Sequence, residues 1–394
     1  MKQLPARSHS IDVFRALTMF LMIFVNDVDA VSNIPEWIKH ADANTDGLGF
    51  ADTIFPAFLF IVGLSLPFAI RNRINKGHSK TSIAAYIAIR AFALLVMGFF
   101  HVNLENYNDN ALLPKSVWQI LITISFFLIW LDYTEKMNKQ KRYLLQSAGI
   151  VLLVISAFIF KGGTPQKPAA LQPYWWGILG LIGWSYLICA GIFLLSKERL
   201  LVLVSALLFF LLVNTGVHAG LLTSLKSSSP VWIVGDGAMP AFTMAGVLIS
   251  VIYTRLVKQG REKQFWLILF LCGIAFILFG FVTRPYDGIS KIHATPSWLG
   301  ICISVSILVF GIIIYMVDVK GKQTWFQIIR PAGTSTLTCY LLPYLLYSVY
   351  GLIHFHFPAF LAQGTGGIIK SFATAFIVIF IAGYLEKKRI RLSV

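Results

Sequence analysis

The chain has 394 residues, of which 57% are hydrophobic and only 13% are charged, whereas a soluble domain usually carries about 25% charged residues. Together with a mean hydropathy of +0.74, this composition excludes an ordinary soluble protein and predicts one all-α membrane domain over residues 1–394. The net charge of +16 does not indicate a nucleic-acid partner, because the basic residues lie in short loops between apolar segments, as in membrane proteins.

Apolar segments of the length that crosses a bilayer, about 20 residues, recur along the whole chain. We predict about twelve transmembrane helices, with both termini cytoplasmic. The predicted spans cover residues 11–27, 50–70, 83–103, 112–132, 143–160, 175–195, 200–217, 238–256, 265–283, 297–317, 331–351 and 367–385. The segment 331–351 contains Pro331 and Pro343, so a broken or re-entrant helix is an alternative there.

The loop charges predict the orientation of these helices. With the amino terminus inside, the inside segments hold 23 lysines and arginines, and the outside loops hold seven. Basic residues concentrate on the cytoplasmic side of membrane proteins. The asymmetry therefore favours both an even number of spans and cytoplasmic termini.

The first outside segment, residues 26–52, is unusually polar. It contains five aspartates, which are Asp27, Asp29, Asp42, Asp46 and Asp52, and also His40. Ionisable groups between two apolar spans are usually functional, and a neutral imidazole can act as a base or a nucleophile near pH 7. Residues 42–47 also resemble the start of an EF-hand calcium loop, but the downstream glutamate is absent. We therefore predict no metal site.

Four arginines lie at or near the cytoplasmic ends of the first three spans. Arg15 lies in the first span, Arg71 and Arg73 follow the second, and Arg90 lies in the third. In one interpretation, Arg15 pairs with Asp12 and Arg90 extends its charge to the membrane surface. In the other, the arginines bind an anionic phosphate from the cytoplasm. The residues alone leave both interpretations open.

The first two spans and their connection resemble a known family. The stretch SIDVFRALTMFLMIFVN covers residues 10–26, KHA covers residues 39–41, and ADTIFPAFLFIVG covers residues 51–63. These motifs resemble the membrane domain of heparan-α-glucosaminide N-acetyltransferase and its bacterial relatives, which include membrane proteins associated with N-acetylglucosamine use. The resemblance is dense over residues 10–65 and patchy afterwards, with a later similarity in VDVKG at residues 317–321.

The resemblance implies an activity and a set of site residues. Members of that family move acetyl from cytoplasmic acetyl-CoA across the membrane to the amine of a terminal glucosamine. The histidine of the KHA motif carries over to His40, as base or acetyl carrier, and the active-site asparagine carries over to Asn26. From the chemistry of the residues, and not from the resemblance, Asp52 and Asp27 are the candidates to orient the imidazole or bind the ammonium form of the acceptor.

The remaining candidates divide between the two substrates. Asp27, Asp42 and His293 are the candidate acceptor-binding residues, because they lie in outer loops or near outer helix ends. Arg15, Arg71, Arg73 and Arg90 are the candidates for the phosphates of acetyl-CoA. We expect the protein in the bacterial inner membrane, with the lipid bilayer, acetyl-CoA and an amino sugar as partners, and with a homodimer as a further expected assembly.

The chain also departs from the family pattern. Ala16 replaces the glycine of the first motif, and two additional spans near residues 175–217 stand in place of a long lumenal loop. These departures leave two other functions open. One is a secondary transporter of a small polar or sugar-like solute, which commonly has twelve spans, although we find no internal repeat. The other is an O-acetyltransferase of envelope glycans.

Overall fold

The fold is almost entirely helical in a computed structural model that describes Leu4 and residues 9–134, 137–174, 177–222 and 235–394. The helices are α1 (His9–Val28), α2 (Ala51–Asn75), α3 (Lys80–Asn103), α4 (Lys115–Trp130), α5 (Lys139–Ile159), α6 (Ile178–Ser196), α7 (Leu200–His218), α8 (Ala238–Lys258), α9 (Glu262–Thr283), α10 (Pro296–Ile314), α11 (Arg330–Thr334), α12 (Thr336–Leu352), α13 (Ala359–Ala362) and α14 (Gly364–Lys387). Strands β1 (Gly162–Thr164) and β2 (Lys167–Ala169) form an antiparallel hairpin. The predicted all-α membrane class is confirmed.

Each predicted span coincides with a helix or a helix pair of the structure. Within the described ranges, nine helices are long and apolar enough to cross a membrane, and α4 is a shorter apolar helix. The sixth span was predicted to begin at residue 175, but residues 175–176 lie outside the described residues, and α6 begins at Ile178. The chain is thus a polytopic membrane protein, while the number of helices that cross the bilayer stays a prediction.

The segment 331–351, for which a broken helix was the alternative to a full span, is interrupted. Ser335, with φ −124° and ψ 43°, separates α11 from α12. Gly333 in α11 lies directly against α1, since a Cβ at this position would lie 2.9 Å from the carbonyl oxygen of Asp12. The break therefore lets a short helix pack closely against the start of α1.

The centre of the bundle is the contact between α2 and α8. A Cβ on Gly63 of α2 would lie 1.9 Å from the carbonyl oxygen of Thr243, and one on Gly246 of α8 would lie 2.0 Å from that of Phe60. The two backbones thus touch through small residues, as membrane helices often do. Helices α5 and α9 bury little of their apolar length inside the protein, and their exposed side chains suit contact with lipid.

The start of α1 and the end of α14 lie at the same end of the bundle. The N–H of Gly364, where α14 begins, donates to the carbonyl oxygen of Ser32, shortly after α1 ends, at 2.8 Å. At the other end, Thr334 Oγ1 donates to Glu386 Oε2 at 2.8 Å. The start of α1 and the end of α14 therefore lie on one side of the bundle, and the cytoplasmic location of both chain termini stays a prediction.

Helix α2 joins the two regions that carry the predicted site residues. Asp52 lies in its first turn and Arg71 near its last, and nineteen residues at 1.5 Å each separate them by about 28 Å. This is close to the thickness of the hydrocarbon core, about 30 Å. We call the two ends of the bundle the His40 end and the Arg71 end.

Candidate active site

The loop between α1 and α2, residues 29–50, closes on itself and sets His40 beside the start of α2. The N–H of Phe50 donates to the carbonyl oxygen of Trp37 at 2.7 Å. Gly49 passes so close to the earlier part of the loop that a Cβ at this position would lie 1.9 Å from the carbonyl oxygen of Lys39. Only glycine fits at this crossing, so the local sequence fixes the position of the His40 backbone.

His40 is paired with a buried carboxylate. Its Nδ1 lies 2.7 Å from Asp52 Oδ1, and Asp52 is only 1% exposed. The second oxygen, Oδ2, accepts hydrogen bonds from the N–H groups of Ala41 and Gly49, both at 3.0 Å. A carboxylate with these partners accepts the Nδ1 proton of the imidazole, which leaves the lone pair on Nε2. Of the two candidates to orient the imidazole, Asp52 and Asp27, the fold therefore places Asp52 against His40.

A tryptophan from α10 supports this pair from the interior. Trp298 Nε1 donates to the backbone carbonyl oxygen of Asp52 at 3.1 Å, and its fully buried ring packs edge-on against Phe242 of α8. Helix α10 begins at Pro296 after Thr295, whose Oγ1 accepts the N–H of Trp298 at 3.4 Å. Threonine before a helix and proline in its first turn are common starting residues, so the local sequence fixes where Trp298 lies.

A lysine that the sequence did not single out also contacts His40. Lys291, in the loop between α9 and α10, places Nζ 3.0 Å from Nδ1 and 3.3 Å from Nε2 of His40. The same Nζ lies 3.9 Å from Asp52 Oδ1. Burial lowers the pKa of Lys291, and the nearby charges of Asp52 and Asp29 partly offset that effect. Sequence reasoning missed Lys291 because 251 residues separate it from His40.

The loop that carries Lys291 is clamped to the loop that carries His40. Asp46 Oδ1 accepts the N–H of Ile289 at 2.7 Å, and Asp46 Oδ2 lies 3.0 Å from Nε of Arg284. The carboxylate of the EF-hand-like stretch is therefore engaged by protein groups. Among the described residues, no three His, Cys, Asp or Glu side chains are grouped closely enough to hold a metal ion.

Asp27 belongs to a second buried group at the end of α1. Lys370 Nζ of α14 lies 2.6 Å from Asp27 Oδ2, and Tyr347 Oη of α12 donates to Asp27 Oδ1 at 2.6 Å. Both charged side chains are largely buried, with exposed fractions of 4% for Asp27 and 13% for Lys370. The sequence signal for this partner was available, because a lysine inside an apolar span needs a counter-charge.

The other predicted residues of this region are exposed. Asn26 lies on the last turn of α1, one residue before Asp27. The side chain of Asp42 is exposed, and its backbone carbonyl accepts the N–H of Thr45 at 3.0 Å. His293 is exposed two residues after Lys291, and its N–H donates to Ser290 Oγ at 3.3 Å. Their roles toward a substrate stay predictions.

Arg15 lies between the two ends rather than at the surface of the Arg71 end. It donates to Asp12 Oδ1 at 3.2 Å, as one interpretation of the sequence predicted, and also to Ser65 Oγ of α2. Ser65 lies thirteen residues after Asp52, about 20 Å along α2. Arg15 thus joins α1 to α2 at an intermediate depth.

Arg71 is paired with a glutamate and lines a cavity. Its Nε and Nη2 each lie 2.7 Å from an oxygen of Glu198, and this hydrogen bond holds the pKa of Glu198 below its usual value. Arg255 and Lys258 of α8 line the same cavity, whose volume is about 290 Å³. The pocket therefore carries an excess of positive charge.

Arg73 and Arg90 meet at a tyrosine. The guanidinium of Arg73 lies 3.4 Å from the ring centre of Tyr86 in α3, and Arg90 Nη1 donates to the hydroxyl of the same tyrosine at 3.1 Å. Arg90 also lies 5.3 Å from the ring centre of Tyr186 in α6. The structure therefore unites two of the four predicted arginines and gives Arg15 and Arg71 separate partners.

The fold and the site together define a polytopic membrane protein with a histidine on a buried aspartate at one end and an arginine cluster at the other. A family model described as a domain of unknown function (DUF5009) matches residues 7–233. This is more than half of the chain, and the chain belongs to that family.

Two curated relatives share a shorter segment. The human heparan-α-glucosaminide N-acetyltransferase is 39% identical over 105 residues, which is 26% of this chain and 15% of the human protein. The mouse protein of the same name is 36% identical over 102 residues, which is 26% of this chain and 14% of the mouse protein. The relationship predicted from the motifs is confirmed, although the similarity spans about one seventh of the curated relatives.

Proposed function

We propose that the protein is a transmembrane acetyltransferase that moves acetyl from cytoplasmic acetyl-CoA to the amine of a glucosamine-type sugar outside. The main support is the pair of His40 with the buried Asp52, 2.7 Å apart, within a chain related to heparan-α-glucosaminide N-acetyltransferases. The orientation of the imidazole leaves Nε2 with the lone pair that acetyl transfer requires.

Two routes use this lone pair. In direct transfer, Nε2 takes a proton from the acceptor amine while the amine attacks the thioester carbonyl, and the bond to sulfur breaks to release CoA thiolate. In the two-step route, Nε2 attacks the carbonyl itself and the amine later displaces the imidazole. In both, we assign to Asn26 a hydrogen bond to the oxyanion, which is typically worth ~3 kcal/mol of barrier.

The donor extends along α2 in this proposal. Its phosphates bind near the Arg71 end, where Arg73 and Arg90 share Tyr86 and the Arg71 cavity offers further positive charge. The pantetheine arm is thin and largely apolar, so it can follow α2 past Arg15 toward His40. The arginines at the cytoplasmic face and His40 at the outer face agree with the segregation of loop charges.

The acceptor binds at the His40 end in this proposal. Asp42 and His293 are exposed there and are assigned to the sugar hydroxyls and the amine. The carboxylate of Asp27 is already paired with Lys370. We therefore assign acceptor binding to the Asp27–Lys370 pair as a unit and not to Asp27 alone. We further propose the bacterial inner membrane as the location and a homodimer as the assembly.

Secondary transport remains the alternative from another class, favoured by the buried ion pair of Asp27 and Lys370.

Purified protein in detergent, incubated with labelled acetyl-CoA and separate acceptors, distinguishes the functions. We expect an N-acetylated product, identified by mass spectrometry, with glucosamine and its oligosaccharides. Acetylation of a hydroxyl sugar alone would favour the O-acetyltransferase. Folded protein that neither transfers nor hydrolyses acetyl would contradict the enzyme proposal and favour the transporter.

A further inference from the structure

Lys291 approaches the face of the His40 ring. Its Nζ is almost equally close to the two ring nitrogens, at 3.0 Å and 3.3 Å. These nitrogens flank a single carbon, so an atom in the ring plane at such distances would collide with that carbon. The amine therefore lies over the ring, and the in-plane lone pair of Nε2 stays open toward a substrate.

The charge of Asp52 attracts this amine, but a hydrogen bond to Asp52 does not explain its position. Both oxygens of Asp52 already have partners, which are His40 Nδ1 and the N–H groups of Ala41 and Gly49. Lys291 Nζ is 3.9 Å from the nearer oxygen and closer to the imidazole. The side chain is only 28% exposed, and a partly buried charge is costly without a function or a tight partner. The amine is thus directed at the reactive ring.

The clamp on the Lys291 loop makes this placement rigid. Asp46 fixes the loop through the N–H of Ile289 and through Arg284, only a few residues to the amino-terminal side of Lys291. Helix α10, anchored on Asp52 by Trp298, fixes the loop on the other side. A hydrogen-bond donor whose loop is fixed on both sides is positioned before a substrate arrives. Such positioning is the condition for stabilising charge in a transition state.

We propose that Lys291 is a catalytic residue of the acetyl transfer, whose ammonium group stabilises the oxyanion of the tetrahedral intermediate. This inference rests on the proposed function. When nitrogen attacks the thioester carbon, the carbonyl π pair moves onto oxygen, one bond from that carbon. The oxyanion then lies within reach of an ammonium that is 3.3 Å from Nε2. Collapse re-forms the carbonyl and expels the thiolate, and Lys291 keeps its proton throughout.

Lys291→Met tests the role because methionine keeps the apolar length and removes the charge. Loss of one oxyanion donor typically costs ~100- to 1,000-fold in kcat, and we expect that loss with an unchanged KM for acetyl-CoA. Lys291→Arg keeps the charge, and we expect it to recover most of the rate. Wild-type kcat in Lys291→Met protein that melts normally would overturn the proposal.

The pH profile separates catalysis from loop support. Burial lowers the pKa of Lys291 from 10.5 against the opposing effects of Asp52, Asp29 and Cys302, and His40 lies against the same amine. An ammonium that acts in catalysis makes the wild-type rate fall on the alkaline side, as Lys291 loses its proton. The Lys291→Arg variant should lack that fall, because arginine stays charged. An identical alkaline limb in both proteins would contradict the role.

Arg284→Met is the matched structural control. It weakens the clamp at Asp46 without removing charge from the His40 ring, and we expect less than a tenfold loss in kcat. Equal losses in Arg284→Met and Lys291→Met would reduce Lys291 to a loop support. If wild-type protein transfers no acetyl at all, the proposed function itself fails, whereas transfer that is indifferent to Lys291→Met refutes this inference alone.

Discussion

The two ends of α2 hold charged groups in different ways. At the His40 end, Asp52 is 1% exposed and every oxygen of its carboxylate has a partner. At the Arg71 end, Arg71 and Glu198 form a pair that is partly open to solvent, with exposed fractions of 18% and 30%. In the proposed function, the first arrangement fixes the imidazole ring for catalysis, and the second provides positive charge for donor binding. Changes at the His40 end should therefore alter kcat, and changes at the Arg71 end should alter donor affinity.

The largest effect is expected from His40→Ala. It removes the group that takes the proton or the acetyl in the proposed mechanism, and loss of a general base alone typically costs ~100- to 10,000-fold in rate. Acetyl-CoA affinity should be unchanged, because the proposed phosphate site lies at the other end of α2. Steady-state kinetics and donor titration measure both quantities. His356→Ala is the control, since His356 is exposed and bonds to the backbone of His354; a comparable loss there would contradict the prediction.

Lys370→Met tests the buried pair at the end of α1. It leaves Asp27 buried without its cation, and breaking a buried pair in this way costs ~3–5 kcal/mol. We expect a clear fall in the unfolding temperature in detergent. The double variant Asp27→Asn with Lys370→Met removes both charges and should recover most of the stability. A double variant as unstable as Lys370→Met would show that the pair itself is not the cause.

Arg90→Ala tests the proposed donor binding at the Arg71 end. A charged hydrogen bond to a phosphate is worth ~1.5–3 kcal/mol, so donor affinity should fall by roughly ten- to 150-fold, with little change in kcat at saturating acetyl-CoA. Isothermal titration gives the affinity. Arg15→Ala should have a smaller effect, because Asp12 already pairs with Arg15. Unchanged affinity in folded Arg90→Ala protein would remove Arg90 from the donor site.

The smallest effect is expected from Glu198→Gln. Arg71 holds the pKa of Glu198 below its usual 4.5, so the pair stabilises the fold above that pH and loses its contribution as the pH falls through the lowered pKa. A pair this open to solvent is worth ~0.2–1 kcal/mol. The variant should melt slightly below wild type at pH 7, and the difference should vanish in acid. A difference that persists in acid would point to packing instead.

Much of the fold followed from local patterns in the sequence. Each apolar run became a helix, and Pro331 with its neighbours marked the segment that Ser335 interrupts. These features depend on nearby residues, which periodicity and length describe well. Helix ends differed by a few residues, because capping contacts such as the one between Thr295 and Trp298 set them locally.

The candidate site was predictable only where its parts are close in sequence. His40 and Asp52 are twelve residues apart, and motif resemblance named both. Lys291 comes from a distant loop, and no local pattern links it to His40. Lys370 lies in an apolar span and signals its need for a counter-charge, but the local sequence does not name Asp27 as that partner. The sequence grouped the four arginines by charge alone. Their actual partners come from tertiary packing: Glu198 pairs with Arg71, and Tyr86 contacts Arg90.

Transfer across a sealed bilayer tests the central claim most directly. Wild-type and His40→Ala proteins are reconstituted into vesicles that enclose glucosamine, and labelled acetyl-CoA is added outside, so that donor and acceptor never share a compartment. The account predicts labelled N-acetylglucosamine inside the wild-type vesicles and none above background with His40→Ala. Product that forms only when both substrates are on the same side would contradict a donor that reaches His40 along α2.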